Sequence, residues 1–247
     1  DLAWVHMGVK NYTDIARSEL GNAFTISQWE LGPFASLAVW PVEKLSLHAG
    51  FRWDLSEING KNSDGTANGQ KLRQAPVWDT GLVYRPTESL NLFANYATTF
   101  RYPYTDEQTS YYGTGDSFNQ TLEPERGNDI RLGGSWRLAD VLAFSAQGYW
   151  LEMKKEIAFN SENFQNENIG NTRRLGGDFL LNLQPLRFLQ ANANYSYVHA
   201  CFVGGPFDGK LVPLVSEHRL YAEVMGILPF GLCLGPNISW NSKAYSG

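Results

Sequence analysis

Among the residues that could do chemistry, the histidines come first: His6, His48, His199 and His218. None pairs into the HExxH spacing that holds zinc on one helical face. No GxSxG elbow offers a nucleophilic serine, and no GxxxxGK[ST] loop cradles phosphate. Glu123 and Glu125 flank Pro124, which places two carboxylates at a strand entry, where they read as turn acceptors rather than as an acid/base pair. Cys201 and Cys233 have neither metal nor redox spacing. The expectation is no enzyme, no metal site and no cofactor. What remains is a set of scattered charges (Arg52, Asp54, Asp79, Arg101, Arg131, Asp178, Arg219 and Glu223) and a group of aromatics, Tyr104, Tyr111, Tyr112 and Phe118, in one polar stretch.

The elements that position the charges are strands. Over 90–102, Leu90, Leu92, Ala94, Tyr96, Thr98, Phe100 and Tyr102 fall on one side, and Asn91, Phe93, Asn95, Ala97, Thr99 and Arg101 on the other. A helical period would mix the two sets; a period of two separates them. The same separation recurs around Leu47, Leu132, Phe144, Ala193 and Leu234, and every charge named above lies on the polar side of its strand. Short turns are expected at 40–44, 85–89, 137–140, 184–187 and 228–231. Long polar segments are expected at 57–75, 103–123, 154–170 and 201–215.

Composition narrows the setting. Charged residues are 18% and aromatics 14% of the 247 residues, yet no apolar run is long enough for a membrane-crossing helix. The net charge of -5 and dispersed Lys and Arg argue against a nucleic-acid partner. A propeller blade would fit four short strands into each repeat; here each repeat holds two strands of bilayer-crossing length, with short turns at one end and long loops at the other. Trp40 and Tyr84 beside the short turns, and Trp53, Trp78, Tyr102 and Trp150 towards the long loops, read as two interfacial girdles. The expected fold is an all-β, antiparallel transmembrane β-barrel wall of about 10–11 strands.

The run "GLVYRPTESLNLFANYATTFRYPYTDE", followed by "LEPERGNDIRLGGSW", resembles the barrel of TonB-dependent outer-membrane receptors, and "ENIGNTRRLGGDF" and "GKLVPLVSEHRL" resemble its later strands. The resemblance implies a barrel of roughly 22 strands around a plug, in the bacterial outer membrane. It implies uptake of a scarce nutrient such as a ferric siderophore, haem or cobalamin, with TonB engaged through a box ahead of the plug. Residues 1–247 would then be a partial barrel domain with no plug and no TonB box, roughly strands 9 to 19. The opening "DLAWVHMGVK" has no signal-peptide pattern, which reads as a processed or partial chain. The expected partners are outer-membrane lipid, the nutrient, and TonB only through the missing plug. A passive porin-like channel and a soluble β-rich carbohydrate-binding or propeller protein are the alternatives.

On that reading Arg52, Asp54, Arg101, Arg131, Asp178, Arg219 and Glu223 face the lumen and pair with one another across strands or with a plug. Arg101 and Glu125, at the two ends of one loop, are expected to brace its base. Tyr104, Tyr111, Tyr112 and Phe118 are the candidate ligand contacts, and the acidic character of their loop disfavours a strongly anionic cargo. Cys201 at an outer strand end and Cys233 beside an inner turn lie too far apart for a disulfide.

Overall fold

The computed structural model describes residues 1–62, 68–108, 119, 121–160, 162–163 and 165–245. Thirteen strands among them form one antiparallel sheet. The first six are β1 (Leu2–Tyr12), β2 (Leu20–Leu31), β3 (Phe34–Val42), β4 (Leu45–Asn62), β5 (Gly69–Thr87) and β6 (Leu90–Arg101). They continue as β7 (Glu125–Leu138), β8 (Leu142–Asn160), β9 (Gln165–Leu186), β10 (Leu189–Val203), β11 (His218–Ile227), β12 (Cys233–Leu234) and β13 (Asn237–Asn241). From β4 to β11 each strand pairs with the next in sequence, a meander without crossovers.

Two staves are broken by proline. β2 pairs the outer half of β4 and β3 its inner half, with Gly32-Pro33 between them. β12 and β13 share β11 in the same way across Gly235-Pro236. Proline has no N–H to give the ladder, so each break falls where one donor is missing. Counting each broken pair as one, the sheet has eleven staves. Among the described residues it is open: β3 has β4 on one side only, and β12 and β13 have only β11.

The register keeps the two faces apart. Tyr96 lies opposite Thr80 and Ile130, and Ala94 opposite Leu82 and Leu132, so apolar residues line up across neighbouring staves on one face. Leu92, Leu132, Trp78, Trp150 and Phe144 are exposed there, as suits side chains that meet hydrocarbon rather than protein. The compact protein core is small. Ile26 and Ile58, both fully buried, pack with Met7 and Phe24 on the inner face of the outer strand ends.

Three sequence expectations change. The stretches 57–75 and 154–170 are mostly ladder rather than loop, because β4, β5, β8 and β9 run on to Asn62, Gly69, Asn160 and Gln165. Beyond the lipid the outward face is wet and the inward face mixes polar with apolar residues, such as Asp54, Ser56, Ile58 and Arg73, so the strands continue without apolar–polar alternation and the pattern that marks them vanishes. Tyr102 is not an exposed girdle residue: the ladder ends at Arg101, the chain turns inward, and Tyr102 is only 6% exposed, with its hydroxyl donating to the Asp54 carbonyl (3.1 Å). Of the charges expected to pair across strands, Arg101 does so with Glu125, whereas Arg52 and Arg131 pair along their own strands with Asp54 and Asp129.

The inward and outward faces should tolerate charge very differently. Leu132→Arg, at an exposed outward position between the two aromatic rows, is expected to cost about 2–4 kcal/mol of folding stability in a bilayer. Ser135→Arg on the inward face of the same strand should cost far less. Urea unfolding of the barrel in lipid vesicles checks both, and equal losses would contradict the assigned faces.

Candidate functional site

The outer mouth of the wall is built around the end of β6. Arg101 and Glu125 are cross-strand partners, and the guanidinium forks onto the carboxylate at 3.0 and 2.6 Å. Its remaining nitrogen takes Glu107 at 2.8 and 3.0 Å, and its flat face lies 4.7 Å from the Tyr104 ring centre. Glu125 also accepts the Ile157 amide at 2.8 Å, which ties β7 to β8. One arginine thus clamps both ends of the β6–β7 connection, with bidentate geometry that a lysine could not reproduce.

Past Arg101 the chain folds across the inner face rather than outward. Pro103, Gln108 and Leu122 are fully buried. Gln108 donates to the carbonyls of Pro103 (3.2 Å) and Tyr104 (3.1 Å), and its own carbonyl accepts from Arg73 of β5 at 3.0 Å. Asn168 of β9 holds the returning arm, accepting from the Glu123 amide (2.9 Å) and donating to the Glu123 carbonyl (3.0 Å). Asn166 donates to the Glu107 carbonyl at 3.0 Å. The described parts of this connection, 102–108, 119 and 121–124, are therefore fixed to β5 on one side and to the β8–β9 extension on the other.

Three cations meet the returning arm. Arg73 (2.9 Å) and Lys71 (3.5 Å) both donate to the Leu122 carbonyl, and Lys155 pairs with the Glu123 carboxylate. Lys155 sits at a bulge in β8 with φ 58°, a left-handed conformation that breaks the alternation and swings its ammonium towards the arm. Burial holds the Lys71 and Arg73 groups below their ordinary ranges, and Lys155 holds the Glu123 carboxyl below its ordinary range. Lys71 and Arg73 fall inside a stretch that reads as loop in the sequence. Carrying the β5 parity back from Asp79 through Val77 and Ala75 would have put both on the inward face.

Deeper in the lumen the charges are largely satisfied. Arg52 forks onto Asp54, which is 1% exposed, and Arg131 holds Asp129 at 2.8 Å; both are pairs two residues apart on one strand. Gln147 donates to Asp178 at 2.8 Å, and Asn192 and Tyr221 both donate to Glu223 at 2.7 Å. Arg219 has no ion pair among the described residues. His48 reaches Asn95 at 3.2 Å across the intervening strand, which is possible because Gly81 lies between them and presents no side chain. A concavity of about 350 Å³ on this face is lined by Phe93, Gln147, Asp178, Leu180, Asn194 and Ser196.

Of the candidate ligand contacts, Tyr104 is exposed at the mouth, stacked under Arg101. Tyr111, Tyr112 and Phe118 lie outside the described residues. Cys201 is near the outer end of β10, Cys233 follows the inner turn, and both are free.

The sequence profile of the family described as TonB dependent receptor-like, beta-barrel matches residues 5–245. Over 131 residues the chain is 28% identical to the probable TonB-dependent receptor BfrD of Bordetella pertussis, covering 47% of this chain and 16% of that protein. Among solved structures it superposes on the ferric citrate transporter FecA with a TM-score of 0.76 at 17% identity, covering 98% of this chain and 38% of that one. It also superposes on the ferric-catecholate import receptor Fiu from E. coli K12, at 0.74 and 16%, covering 98% and 42% respectively. The copper transporter OprC gives 0.70 at 17%, with 88% and 37%. The chain thus spans well under half the length of these relatives.

Two outcomes follow for the mouth. Arg101→Gln leaves Glu107 and Glu125 facing one another without a counter-charge. Amide exchange over 102–108 should rise by about 10- to 100-fold, as expected for losing charged hydrogen bonds worth about 1.5–3 kcal/mol. Glu123 has a depressed carboxyl pKa, so its tie to Lys155 is fully present above about 4.5, its ordinary value, and is lost as pH falls through the lowered one. After correction for intrinsic rates, exchange at 121–124 should therefore rise on acidification, and Glu123→Gln should remove that step.

Proposed function

Because this chain belongs to the TonB-dependent receptor-like β-barrel family, whose members are outer-membrane receptors and transporters of Gram-negative bacteria, we propose that it forms part of the wall of a receptor for energised uptake of a scarce nutrient. Homologues import siderophores and metals. The cargo proposed for this chain is of that kind: a ferric siderophore, haem, cobalamin or a similar complex. Residues 1–247 act as a partial barrel domain, and the plug and the box that engages TonB come from elsewhere in the receptor. Outer-membrane lipid contacts the apolar face and the nutrient contacts the outer mouth.

The observation that carries this reading is the pairing of two features on one wall. The outward face is an apolar band between aromatic rows, while the inward face is polar and internally paired, with a chain segment folded across its outer end. A passive pore needs the first feature but gains nothing from a buried, hydrogen-bonded segment over its mouth. Within the mouth, Tyr104, Tyr111, Tyr112 and Phe118 are the proposed cargo contacts, and Arg101 acts as the brace that sets their loop. Arg52, Asp54, Arg131, Asp178, Arg219 and Glu223 line the path without being assigned to cargo.

Uptake assays with a panel of labelled ferric siderophores, haem and cobalamin, in a strain lacking this receptor and in one complemented with it, test the proposal. The expected result is saturable uptake of one cargo class that requires TonB and the proton gradient. Tyr111→Ala and Tyr112→Ala should weaken cargo binding. Non-saturable uptake that persists without TonB would replace the receptor by a passive channel, and unchanged affinity in both variants would remove the aromatic contacts.

A further inference from the structure

Arg73 is the most anomalous charge among the described residues. It is 4% exposed, it makes no ion pair among the described residues, and its Nε and Nη1 donors are buried with no acceptor. Only Nη2 is used, and both of its acceptors are neutral: the Gln108 side-chain carbonyl and the Leu122 backbone carbonyl. A buried guanidinium ordinarily has a carboxylate or phosphate, because neutral acceptors offset only part of its desolvation. The Leu122 carbonyl is also the atom to which Lys71 points, and the next residue, Glu123, carries the carboxylate that meets Lys155. One arm of chain thus lies against three cations and offers two of them a neutral oxygen.

We propose that Lys71, Arg73 and Lys155 form an anion-receiving site in which the 121–124 arm is an internal stand-in for an acidic group of an arriving solute. A carboxylate or phosphate oxygen in place of the Leu122 carbonyl turns neutral contacts into charge-assisted ones. It also engages the idle Nε beside Nη2, the edge of the fork that takes two oxygens at once. The exchange displaces the arm, whose other holds are the Asn168 and Lys155 contacts at Glu123 and the buried Leu122 side chain. The polar contacts are exposed and replaceable by water, and the new charge-assisted bonds offset the exposure of Leu122. The site deepens the uptake reading by giving the cargo a chemical property, at least one free acidic group, although the mouth loop itself carries acidic residues. It rests on the uptake reading only for the statement that this face meets the cargo.

The test uses the intact receptor carrying this chain, in detergent, titrated by calorimetry with tricarballylate, a metal-free tricarboxylate, and separately with inorganic phosphate. The wild type should bind at least one of them saturably. Arg73→Gln should weaken that binding by about 10- to 100-fold, and Arg73→Lys, which keeps the charge but loses the fork, by a smaller factor. Saturating anion should raise amide exchange at 121–124 in the wild type and leave it unchanged in Arg73→Gln. Heat-modifiable mobility of each variant confirms that the barrel is folded. A response to tricarballylate alone assigns the site to carboxylates, and a response to phosphate alone assigns it to phosphate esters. Binding of neither anion, or equal binding by wild type and Arg73→Gln, overturns the site. Neither titration depends on transport, so a receptor that imports through TonB but fails here loses only the anion site. One that binds anions but imports nothing loses the uptake reading.

Discussion

A backbone amide in hydrocarbon has no water to turn to, and this single constraint organises the molecule. Each N–H and C=O within the lipid must find its partner in a neighbouring strand, so the chain runs as long adjacent staves joined by the shortest possible turns. Once the ladder is fixed, side chains alternate automatically between lipid and lumen, and composition must follow. Leu82, Ala94, Leu132 and Gly148 fall on one face, and Gly81, Asn95, Arg131 and Tyr149 on the other. The two proline breaks, at Gly32-Pro33 and Gly235-Pro236, interrupt the ladder at single points without ending the stave.

The constraint also explains which parts of the fold are legible in the sequence. Within the lipid, alternation is enforced by solvation on both sides, and strands such as β6 and β7 are readable residue by residue. Above the lipid, the outward face is wet and the inward face mixes buried polar with apolar residues. The outer ends of β4, β5, β8 and β9 keep their hydrogen bonds but lose their pattern, and so pass for loops. Lys71, Arg73, Asn166 and Asn168 lie in those ends, which is why the residues that hold the mouth segment have no signature of their own. Tyr102 shows the complementary failure: its aromatic type suits an interface, but Pro103 ends the ladder and turns the chain inward. The Arg101–Glu125 brace, by contrast, needs only that β6 and β7 be neighbours, and it is legible from the two strand ends.

The mouth and the wall solve different problems with the same residue types. Along the wall, Arg52 and Arg131 are neutralised two residues away on their own strands, by Asp54 and Asp129, and Arg174 by Glu156 of the neighbouring strand, which keeps most of this charge paired. At the mouth, Arg101 is doubly satisfied, while Arg73, covered by the same segment, is left with idle donors. A fully paired brace beside a poorly paired cation fits a segment anchored at its base and displaceable at its returning arm. Likeness to transporters of ferric citrate, ferric catecholates and copper lies in the fold of the wall.

This fold requires that every second residue of these strands face lipid. That requirement is tested most directly by spin-labelling single cysteines at each position from Asn91 to Thr99 of β6, in the intact receptor reconstituted in bilayers. The free cysteines Cys201 and Cys233 are first replaced by serine. The expected result is a strict two-residue oscillation, with collisional access to oxygen highest at 92, 94, 96 and 98 and access to a water-soluble nickel chelate highest at 91, 93, 95, 97 and 99. Accessibility that does not alternate, or that alternates with the opposite phase, would contradict it.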